Sequence, residues 1–329
     1  MQEPFPSGAV ILSIDTEHIW GYFDELTESA FRQRFPAAVE AQDKLLARLL
    51  AAGLSATWFV VGGMALRECA GVRDPRLSAL PSRWIGRIPP GRESSAGLWY
   101  RPSFVRRLLD ARPLQEIGLH GGLTHLIWTD PQVSRHVARH ELAEGIRALE
   151  DLGVRPRTFS FARTQEAHQS LLSAHGLRGY RGCVPAVSWK LGRSLPGAFL
   201  RALEEWSIAN PPMVRPKEEL PGLWNVPASM FFYPIRPLRN SLVPVRTRVE
   251  RFNKGIQAAV QSAAVFHFSL HPENLAESPQ GFDVFDEMLE GLGRACQQDG
   301  LEVLTMNDVI SRSERSNLCS TKTVTPATT

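Results

Sequence analysis

The sequence predicts an α/β protein with a mostly parallel sheet and crossover helices. Short runs of β-branched and aromatic residues alternate with segments in which apolar residues recur at helical spacing. Strands are expected over 9–14, 55–61, 116–120, 158–161, 223–227, 264–270 and 302–305. This alternation is typical of units in which a helix connects two parallel strands.

Three helices are predicted from apolar spacing and from the residues that bound them. The first ends at Gly53, and its apolar face consists of Val39, Leu45, Leu46, Leu49 and Leu50. The second begins near Pro131 and stops at Gly153, and its apolar face consists of Leu142, Ile146 and Leu149. The third is closed by Gly300 and carries Phe285, Met288, Leu289, Leu292 and Cys296.

The composition is that of a globular protein with a large core. Of the 329 residues, 43% are hydrophobic and 22% are charged, which excludes intrinsic disorder of the whole chain. A net charge of +3 does not indicate a nucleic-acid partner. The four cysteines, Cys69, Cys183, Cys296 and Cys319, are far apart and form no C-x-x-C pair. This pattern argues against a disulfide scaffold or a cysteine zinc site and favours the cytoplasm.

We expect a single domain over 8–310, with a short extension over 1–7. The segments 71–102 and 184–245 are proline-rich and too long to be plain connections, so each is a functional loop region or a disordered insertion. The polar segment 311–329 is expected to be a disordered tail. The N-terminus lacks the features of a signal peptide. The uncharged stretch 49–66 is interpreted as a helix end, a turn and a strand, so no transmembrane span is predicted.

Two clusters of polar residues follow predicted strands and could hold a metal ion. The first strand runs into Asp15 and Glu17, and the strand over 116–120 ends in His120, with His125 after a glycine pair. The glycines allow the backbone to turn back, so the two imidazoles can converge. With Glu17 they form the two-histidine, one-carboxylate set of catalytic zinc and non-haem iron. Taken separately, the carboxylates could cap a helix and the histidines could be structural.

A third cluster lies in the late strand over 264–270. Strand periodicity places His267 and His271 on one face and aromatic residues on the other, so the histidine face is expected to point inward. His271 is expected at the rim of a site, whereas His267 lies deeper as a core histidine with its own partners. Arg163 follows the strand over 158–161 and is either an exposed charge or the partner of a carboxylate.

The order of these motifs resembles that of the polysaccharide deacetylase family, the NodB-homology or carbohydrate esterase family 4 group. The resemblance covers about residues 8–310 and rests on the Asp-x-Glu segment, the histidine pair, the later arginine and the late histidine. It implies an irregular (β/α)7-type barrel and a metal-dependent amide hydrolase acting on N-acetylated sugars. The segments 15–21 and 271–274 are similar to those of intracellular members from polysaccharide biosynthesis.

The resemblance also implies how a metal ion would be held. One divalent ion, either zinc or one of cobalt, nickel and iron, would be bound by Glu17, His120 and His125. The ion would polarise the amide carbonyl and lower the pKa of bound water. The two histidines are one residue further apart than in the usual motif of the family.

The proton-transfer residues follow from the same resemblance. Asp15 would act as general base, and Arg163 would pair with it and fix its orientation. His271 would protonate the departing amine as general acid.

The expected substrate is an amino sugar or a glycoconjugate precursor, linked to a nucleotide or a lipid in one version of this hypothesis. Trp20, Trp224 and Asn274 are the candidate substrate-binding residues, although each tryptophan could instead pack in the core. Six basic residues over 236–254 are either a solvated face or a site for phosphate or acidic lipid, which would place the protein at the inner membrane face. The alternatives are a deformylase or a ureide or cyclic-imide hydrolase of the same fold, and a non-catalytic glycan-binding protein.

Overall fold

The computed structural model describes residues 4–190, 194–236 and 243–322. A ten-stranded sheet forms its centre, and two further strands form a separate pair. The strands are β1 Ala9–Thr16, β2 Thr57–Val60, β3 Glu68–Ala70, β4 Pro90–Arg92, β5 Glu116–His120, β6 Thr158–Ser160, β7 Gly179–Arg181, β8 Lys217–Leu220, β9 Leu223–Asn225, β10 Met230–Phe231, β11 Val265–Leu270 and β12 Glu302–Val303.

Helices of very different length connect these strands. They are α1 Glu28–Arg34, α2 Ala38–Ala51, α3 Ser82–Ile85, α4 Pro102–Asp110, α5 Arg135–Glu150, α6 Ser170–Ala174, α7 Val187–Lys190, α8 Leu195–Trp206, α9 Arg246–Ser262, α10 Pro272–Ala276, α11 Gln280–Asp299 and α12 Met306–Lys322. Short 3₁₀ turns follow three of the central strands, at His18–Gly21, Gly62–Ala65 and Ala162–Thr164.

The sheet is parallel over almost its whole width. Its strand order is β10-β11-β1-β2-β5-β6-β7-β9-β8, and β12 pairs with β1. Every pairing in it is parallel except that of β8 with β9. The sheet curls like part of a barrel. Its end strands β8 and β10 do not pair with each other among the described residues, so the barrel is incomplete. The predicted α/β class with an irregular barrel is therefore confirmed.

The central strand β1 sets the position of the functional edge. All eight of its residues are buried, and it lies between β11 and β2. Its register places Ile14 opposite Leu270, and His120 on β5 lies opposite Ser160 on β6. The carboxyl ends of these parallel strands therefore meet at one edge, which is where α/β barrels place their active sites.

The proline-rich segment 71–102 is folded and packed. It contains α3 and β4, and β4 pairs with β3. Leu77, Trp84 and Trp99 within it are buried. The indole N–H of Trp84 donates to Oγ1 of Thr124 at 3.0 Å. Because Thr124 directly precedes His125, this segment supports a loop of the site and is not a disordered insertion.

The described parts of the second proline-rich segment, 184–245, are folded as well. They contain α7 and α8 and the strands β8, β9 and β10. The strand predicted over 223–227 corresponds to β9, which pairs in parallel with β7. At the other edge of the sheet, β10 pairs in parallel with β11. The segment therefore completes both edges of the sheet.

The uncharged stretch 49–66 divides as predicted into a helix end, a turn and a strand. Helix α2 ends just before Gly53, whose positive φ of 68° suits a residue without Cβ, and β2 follows. Gly300 closes α11 in the same left-handed conformation. Among the described residues, no helix combines the length and the apolar character needed to cross a bilayer.

Two predicted boundaries were wrong. Helix α5 begins at Arg135 and not near Pro131, because Oγ of Ser134 accepts from the backbone N–H of Val137 and caps the first turn. The tail predicted from residue 311 is helical as far as Lys322, within α12.

Side-chain contacts explain the order at the start of the predicted tail. Val309 and Ile310 are buried, and Arg178 donates to Oγ of Ser311 at 3.0 Å and pairs with Glu314. Polar residues thus anchor the helix to the domain, which composition alone does not show. Residues 323–329 lie outside the described part of the chain.

Helix α5 packs against two glycine loops without intervening side chains. A Cβ added to Gly145 would lie 2.6 Å from the carbonyl carbon of Gly122, and one added to Gly62 would lie 2.6 Å from Cα of Gly145. The backbone of the helix therefore contacts the loop after β5 directly, and that loop carries His125.

Gly145→Ala should lower the free energy of unfolding by about 1–3 kcal/mol, because the added methyl group must displace backbone atoms. Gly293→Ala is the matched control, since Gly293 also lies in a helix and an added Cβ there meets nothing within 4 Å. This control should raise stability by about 0.5–1 kcal/mol. Urea denaturation measures both, and equal effects would contradict the proposed contact.

Candidate active site

Five of the polar residues predicted from the sequence meet at the carboxyl edge of the sheet. They are Asp15, Glu17, His120, His125 and His271, and they line one cavity. The first two come from the end of β1, His120 ends β5, and His271 follows β11. The predicted convergence of the three clusters is therefore present in the structure.

Glu17 is the centre of this group. Its Oε2 lies 2.9 Å from Nε2 of His120 and 3.0 Å from Nε2 of His125, and its Oε1 lies 3.1 Å from Nδ1 of His271. The carboxylate is buried. Burial alone would raise its pKa, but the charge of His271 and the contacts to the other imidazoles hold the pKa well below its usual value.

The hydrogen bonds of the histidines suit a metal ion. Nδ1 of His120 lies 2.9 Å from the backbone oxygen of Ser160, so Nδ1 carries the proton and Nε2 presents its lone pair to Glu17. Nε2 of His125 is buried and has no hydrogen-bond partner among the described residues. A cation between them would stabilise lone pairs and a carboxylate this close together. The three ligand atoms lie within 4.8 Å of one another, so the residues fit a divalent ion.

The loop after β5 brings His125 back towards His120. Gly121 and Gly122 have φ values of 67° and 108°, which lets the chain reverse, as the glycine pair predicted. On α5, Oε1 of Glu141 accepts hydrogen bonds from the backbone N–H and the hydroxyl of Thr124, at 2.6 and 2.9 Å. This buried carboxyl therefore fixes the loop immediately before the histidine. Burial raises the pKa of Glu141 to about 7.

The partner of Asp15 is Arg181 and not the predicted Arg163. A guanidinium nitrogen of Arg181 donates to Oδ2 of Asp15 at 2.6 Å, and the same nitrogen donates to Oγ of Ser160 at 2.9 Å. Both members of the pair are buried. Although burial favours the neutral acid, this guanidinium holds the pKa of Asp15 far below its usual value. Asp15 is therefore ionised, and its buried Oδ1 has no hydrogen-bond partner among the described residues.

Arg163 lies in the cavity wall, away from Asp15. It pairs with Asp24 at 2.7 Å and with Glu25 at 3.0 Å. Its φ of 53° turns the chain just after β6, and its side chain lines the cavity. The prediction that Arg163 orients Asp15 is wrong, because Arg181 reaches that carboxylate from the neighbouring strand.

His271 contacts both carboxylates of the site. Its Nε2 lies 3.3 Å from Oδ2 of Asp15, and its Nδ1 lies near Glu17 and 3.7 Å from Oε1 of Glu273. Burial alone would lower its pKa, but the charge of Glu17 and bonds to the surrounding carboxylates raise the pKa well above its usual value. The imidazole is therefore cationic at neutral pH.

His267 is the core histidine that strand periodicity predicted. Its Nδ1 lies 3.0 Å from the backbone oxygen of Pro227, and its Nε2 lies 2.9 Å from Oγ of Ser13. Burial lowers its pKa to about 3, so it is neutral. It supports the strand and does not reach the cavity.

A cavity of about 640 Å³ opens above these groups. Its wall includes an aromatic group of Trp189, Phe231 and Tyr233, whose ring centroids lie 5.1–6.4 Å apart. Phe231 also meets the ring of His271 edge-on, at 5.1 Å. No sequence pattern identifies these three residues, because they lie in the proline-rich segment, where apolar residues do not recur at a helix or strand period. Its scattered aromatic residues were the available signal.

Of the three predicted substrate-binding residues, Asn274 lines the cavity and the two tryptophans do not. Trp20 is 1% exposed, packs edge-on against Trp99, and donates its indole N–H to the backbone oxygen of Trp99 at 2.7 Å. Trp224 packs in a second apolar cluster with residues of β1, β2 and α12, including Ile310. Both tryptophans are therefore core residues.

The basic run over 236–254 is not a continuous exposed face. Arg239 lies outside the described residues, and the other five basic residues all contact protein groups. Their partners are Glu277 for Arg236, Glu250 for Arg246, Glu205 for the fully buried Arg248, the backbone oxygen of Ala209 for Arg251, and that of Ile208 for Lys254. Because Arg248 is buried, a phosphate site cannot include every basic residue of this run.

No protein-family model and no curated protein matches the sequence. Among solved structures, the fold is similar to that of a Mycobacterium smegmatis protein named as a polysaccharide deacetylase. The TM-score is 0.62 at 16% identity, covering 99% of this chain and 94% of that chain. It is also similar to a GH57-type branching enzyme from the archaeon Pyrococcus horikoshii, with a TM-score of 0.53 at 12% identity, covering 93% of this chain and 70% of that chain.

These comparisons confirm the predicted NodB-homology fold. At such low identities the likeness concerns the fold alone, and a branching enzyme shares it. The activity of this chain must therefore be argued from its site.

The raised pKa of Glu141 predicts a specific pH dependence of stability. Between about pH 4.5 and 7 the folded state keeps the proton of Glu141 while the unfolded state loses it, so stability falls as the pH rises. Relative to Glu141→Gln, the wild type should lose about 2.5 kcal/mol between pH 5 and pH 8. Urea denaturation at several pH values measures the difference, and parallel curves for the two proteins would contradict it.

Proposed function

We propose that the protein is a metal-dependent hydrolase that removes an N-acyl group, foremost an N-acetyl group, from an amino sugar or a glycoconjugate precursor. The observation that carries this proposal is the buried carboxylate of Glu17 in contact with three imidazoles, beside an ionised Asp15. The NodB-homology fold supports it, because the site occupies the edge of the sheet at which such folds place their chemistry.

Glu17, His120 and His125 would hold the ion, with zinc as the first expectation and cobalt, nickel or iron as alternatives. When bound, a divalent ion polarises an amide carbonyl and makes water a stronger acid. His120 is held in the required tautomer by the backbone oxygen of Ser160, and Glu141 fixes the loop of His125. The protein thus presents a preorganised ligand set.

Asp15 is proposed to act as general base. Its Oδ2 is occupied by Arg181, whereas its Oδ1 has no partner among the described residues and can accept a proton from water. Arg181 also donates to Ser160 and to Ser13, so its position is fixed by three strands. It is a positioning residue for Asp15, the role that the sequence had suggested for Arg163.

His271 is proposed to act as general acid. Its cationic ring lines the cavity and contacts Oε1 of Glu17, whereas the histidine pair contacts Oε2, and it is proposed to donate a proton to a departing amine. This step is needed because an amide nitrogen leaves poorly as an anion.

The cavity supports a sugar derivative as the substrate. Its volume of about 640 Å³ is within the usual range for small-molecule sites. Trp189 and Tyr233 offer aromatic faces for a sugar ring, and Asn274 offers an amide, whose Nδ2 donates to the backbone oxygen of Phe232. We place the protein in the cytoplasm, since the cysteines of the described residues are free thiols.

The zinc-loaded protein should release acetate from N-acetylated amino sugars or their oligosaccharides. Asp15→Asn should lower kcat by about 10²- to 10⁴-fold, because the base is lost. Arg181→Gln should lower kcat by at least about tenfold with KM little changed, since it acts through Asp15. The control Arg163→Gln should keep kcat, because Arg163 does not touch the base. Enzymatic detection of acetate and formate measures each case.

Formate in place of acetate would indicate a deformylase with the same catalytic residues. Activity that survives Asp15→Asn, or is lost in Arg163→Gln but not in Arg181→Gln, would contradict the proposed roles. Absence of any acyl release from the metal-loaded protein across these substrates would favour a non-catalytic glycan-binding protein.

A further inference from the structure

Helix α8 turns its apolar side chains towards solvent. Leu195, Phe199, Leu203 and Trp206 have exposed fractions of 87%, 68%, 44% and 58%. Their spacing of i, i+4, i+8 and i+11 places them along one side of the helix. Four of the six large exposed hydrophobic side chains among the described residues lie in this helix. We call these four residues the α8 stripe.

The charged residues of the same helix point towards the protein. Arg201 donates to the backbone oxygen of Ser188 at 2.7 Å, and Glu204 accepts from the hydroxyl of Ser188 at 2.9 Å. Glu205 is 1% exposed and lies beside the buried Arg248 on α9. Every residue of α8 is described, and all of its exposed positions are uncharged. This polarity is the reverse of that of an ordinary surface helix.

Helix α8 is joined to the cavity wall by hydrogen bonds from its protein-facing side. Ser188, which bonds two charged residues of α8, lies on α7 beside Trp189, and Trp189 belongs to the cavity wall. The α8 stripe lies on the other, solvent-facing side of the helix and is not part of the cavity.

The size and shape of the stripe favour a lipid surface over a second protein chain. A stable interface buries about 800 Å² on each partner, whereas these four side chains expose on the order of 500 Å². Leu195, at 87% exposure, protrudes, so the surface is convex and offers no groove for a peptide. A fluid bilayer interface can accommodate a convex apolar helix, with tryptophan at the level of the headgroups.

A cation lies near the C-terminal end of the stripe. The exposed Lys254 bonds through Nζ to the backbone oxygen of Ile208, two residues after Trp206. Positive charge next to an uncharged apolar face complements anionic headgroups.

We propose that the α8 stripe docks on an anionic phospholipid bilayer. Phe199 and Trp206 insert at the interface, and Lys254 contacts headgroups. If the proposed hydrolase activity holds, docking brings the enzyme to a surface that carries glycoconjugates anchored to lipid.

Flotation of the full chain with vesicles tests the docking. Wild type should bind vesicles of equal parts phosphatidylcholine and phosphatidylglycerol, and bind phosphatidylcholine vesicles more weakly. The double variant Phe199→Ser/Trp206→Ser should lose at least about tenfold in affinity. Leu114→Ser is the control, because Leu114 is 63% exposed and lies outside α8. It should bind like wild type.

Hydrolysis of a soluble substrate separates this proposal from the proposed function, since both variants should keep wild-type turnover. Lack of vesicle binding by wild type, or equal binding by the double variant, would overturn the docking and leave the hydrolase untouched. A wild-type dimer in size-exclusion chromatography that becomes monomeric in the double variant would also overturn it, because the stripe would then bind a second copy.

Discussion

The burial of the Glu17 carboxylate is the constraint on which the site depends. A carboxylate removed from water is costly unless other charges and hydrogen bonds replace its hydration. Here three imidazoles surround it, and each comes from a different place along the chain: the end of β5, the loop after β5 and the end of β11. The central strands must therefore keep their register, because a shift would separate the imidazoles from the carboxylate of Glu17. A divalent ion would compensate the negative charge of this carboxylate more completely than protons shared with the imidazoles.

Ser160 on strand β6 connects His120 with Arg181, the partner of Asp15. The backbone oxygen of Ser160 accepts from His120, and the hydroxyl of Ser160 accepts from Arg181. The ligand histidine and the arginine that orients Asp15 thus share a partner. Ser13 on β1 plays a similar part, because its hydroxyl contacts both Arg181 and His267. The proposed metal ligand His120 and the proposed base Asp15 are therefore held by one hydrogen-bond network and not by separate supports.

The sequence predicted the parts of the site that depend on local pattern. Strand periodicity and strand ends identified Asp15, Glu17, His120 and His271, and the glycine pair explained how His125 returns. Arg181 was missed because its role depends on pairing between strands. It lies opposite Ser160 in the sheet, a relation that only the register of β6 and β7 defines.

Burial was the other property that the sequence left undetermined. Trp20 and Trp224 are of a residue type that can stack on a sugar ring, yet tertiary packing places both in the core. The aromatic side chains that line the cavity are instead those of Trp189, Phe231 and Tyr233. The charge pattern also did not show that Arg248 is buried. This residue belongs to the basic run over 236–254, but it lies fully buried beside Glu205. Residue type indicates what a side chain can do, whereas packing decides which ones meet the substrate.

Calorimetric titration of the metal-stripped protein with zinc at neutral pH tests whether Glu17, His120 and His125 form a metal site. About one ion should bind per chain, with binding lost in Glu17→Gln and in His125→Ala and retained in His271→Gln. Binding that survives both of the first two substitutions, or that is lost only in His271→Gln, would contradict the proposed ligand set. Failure of the wild-type protein to bind zinc, cobalt, nickel or iron would contradict the metal centre itself.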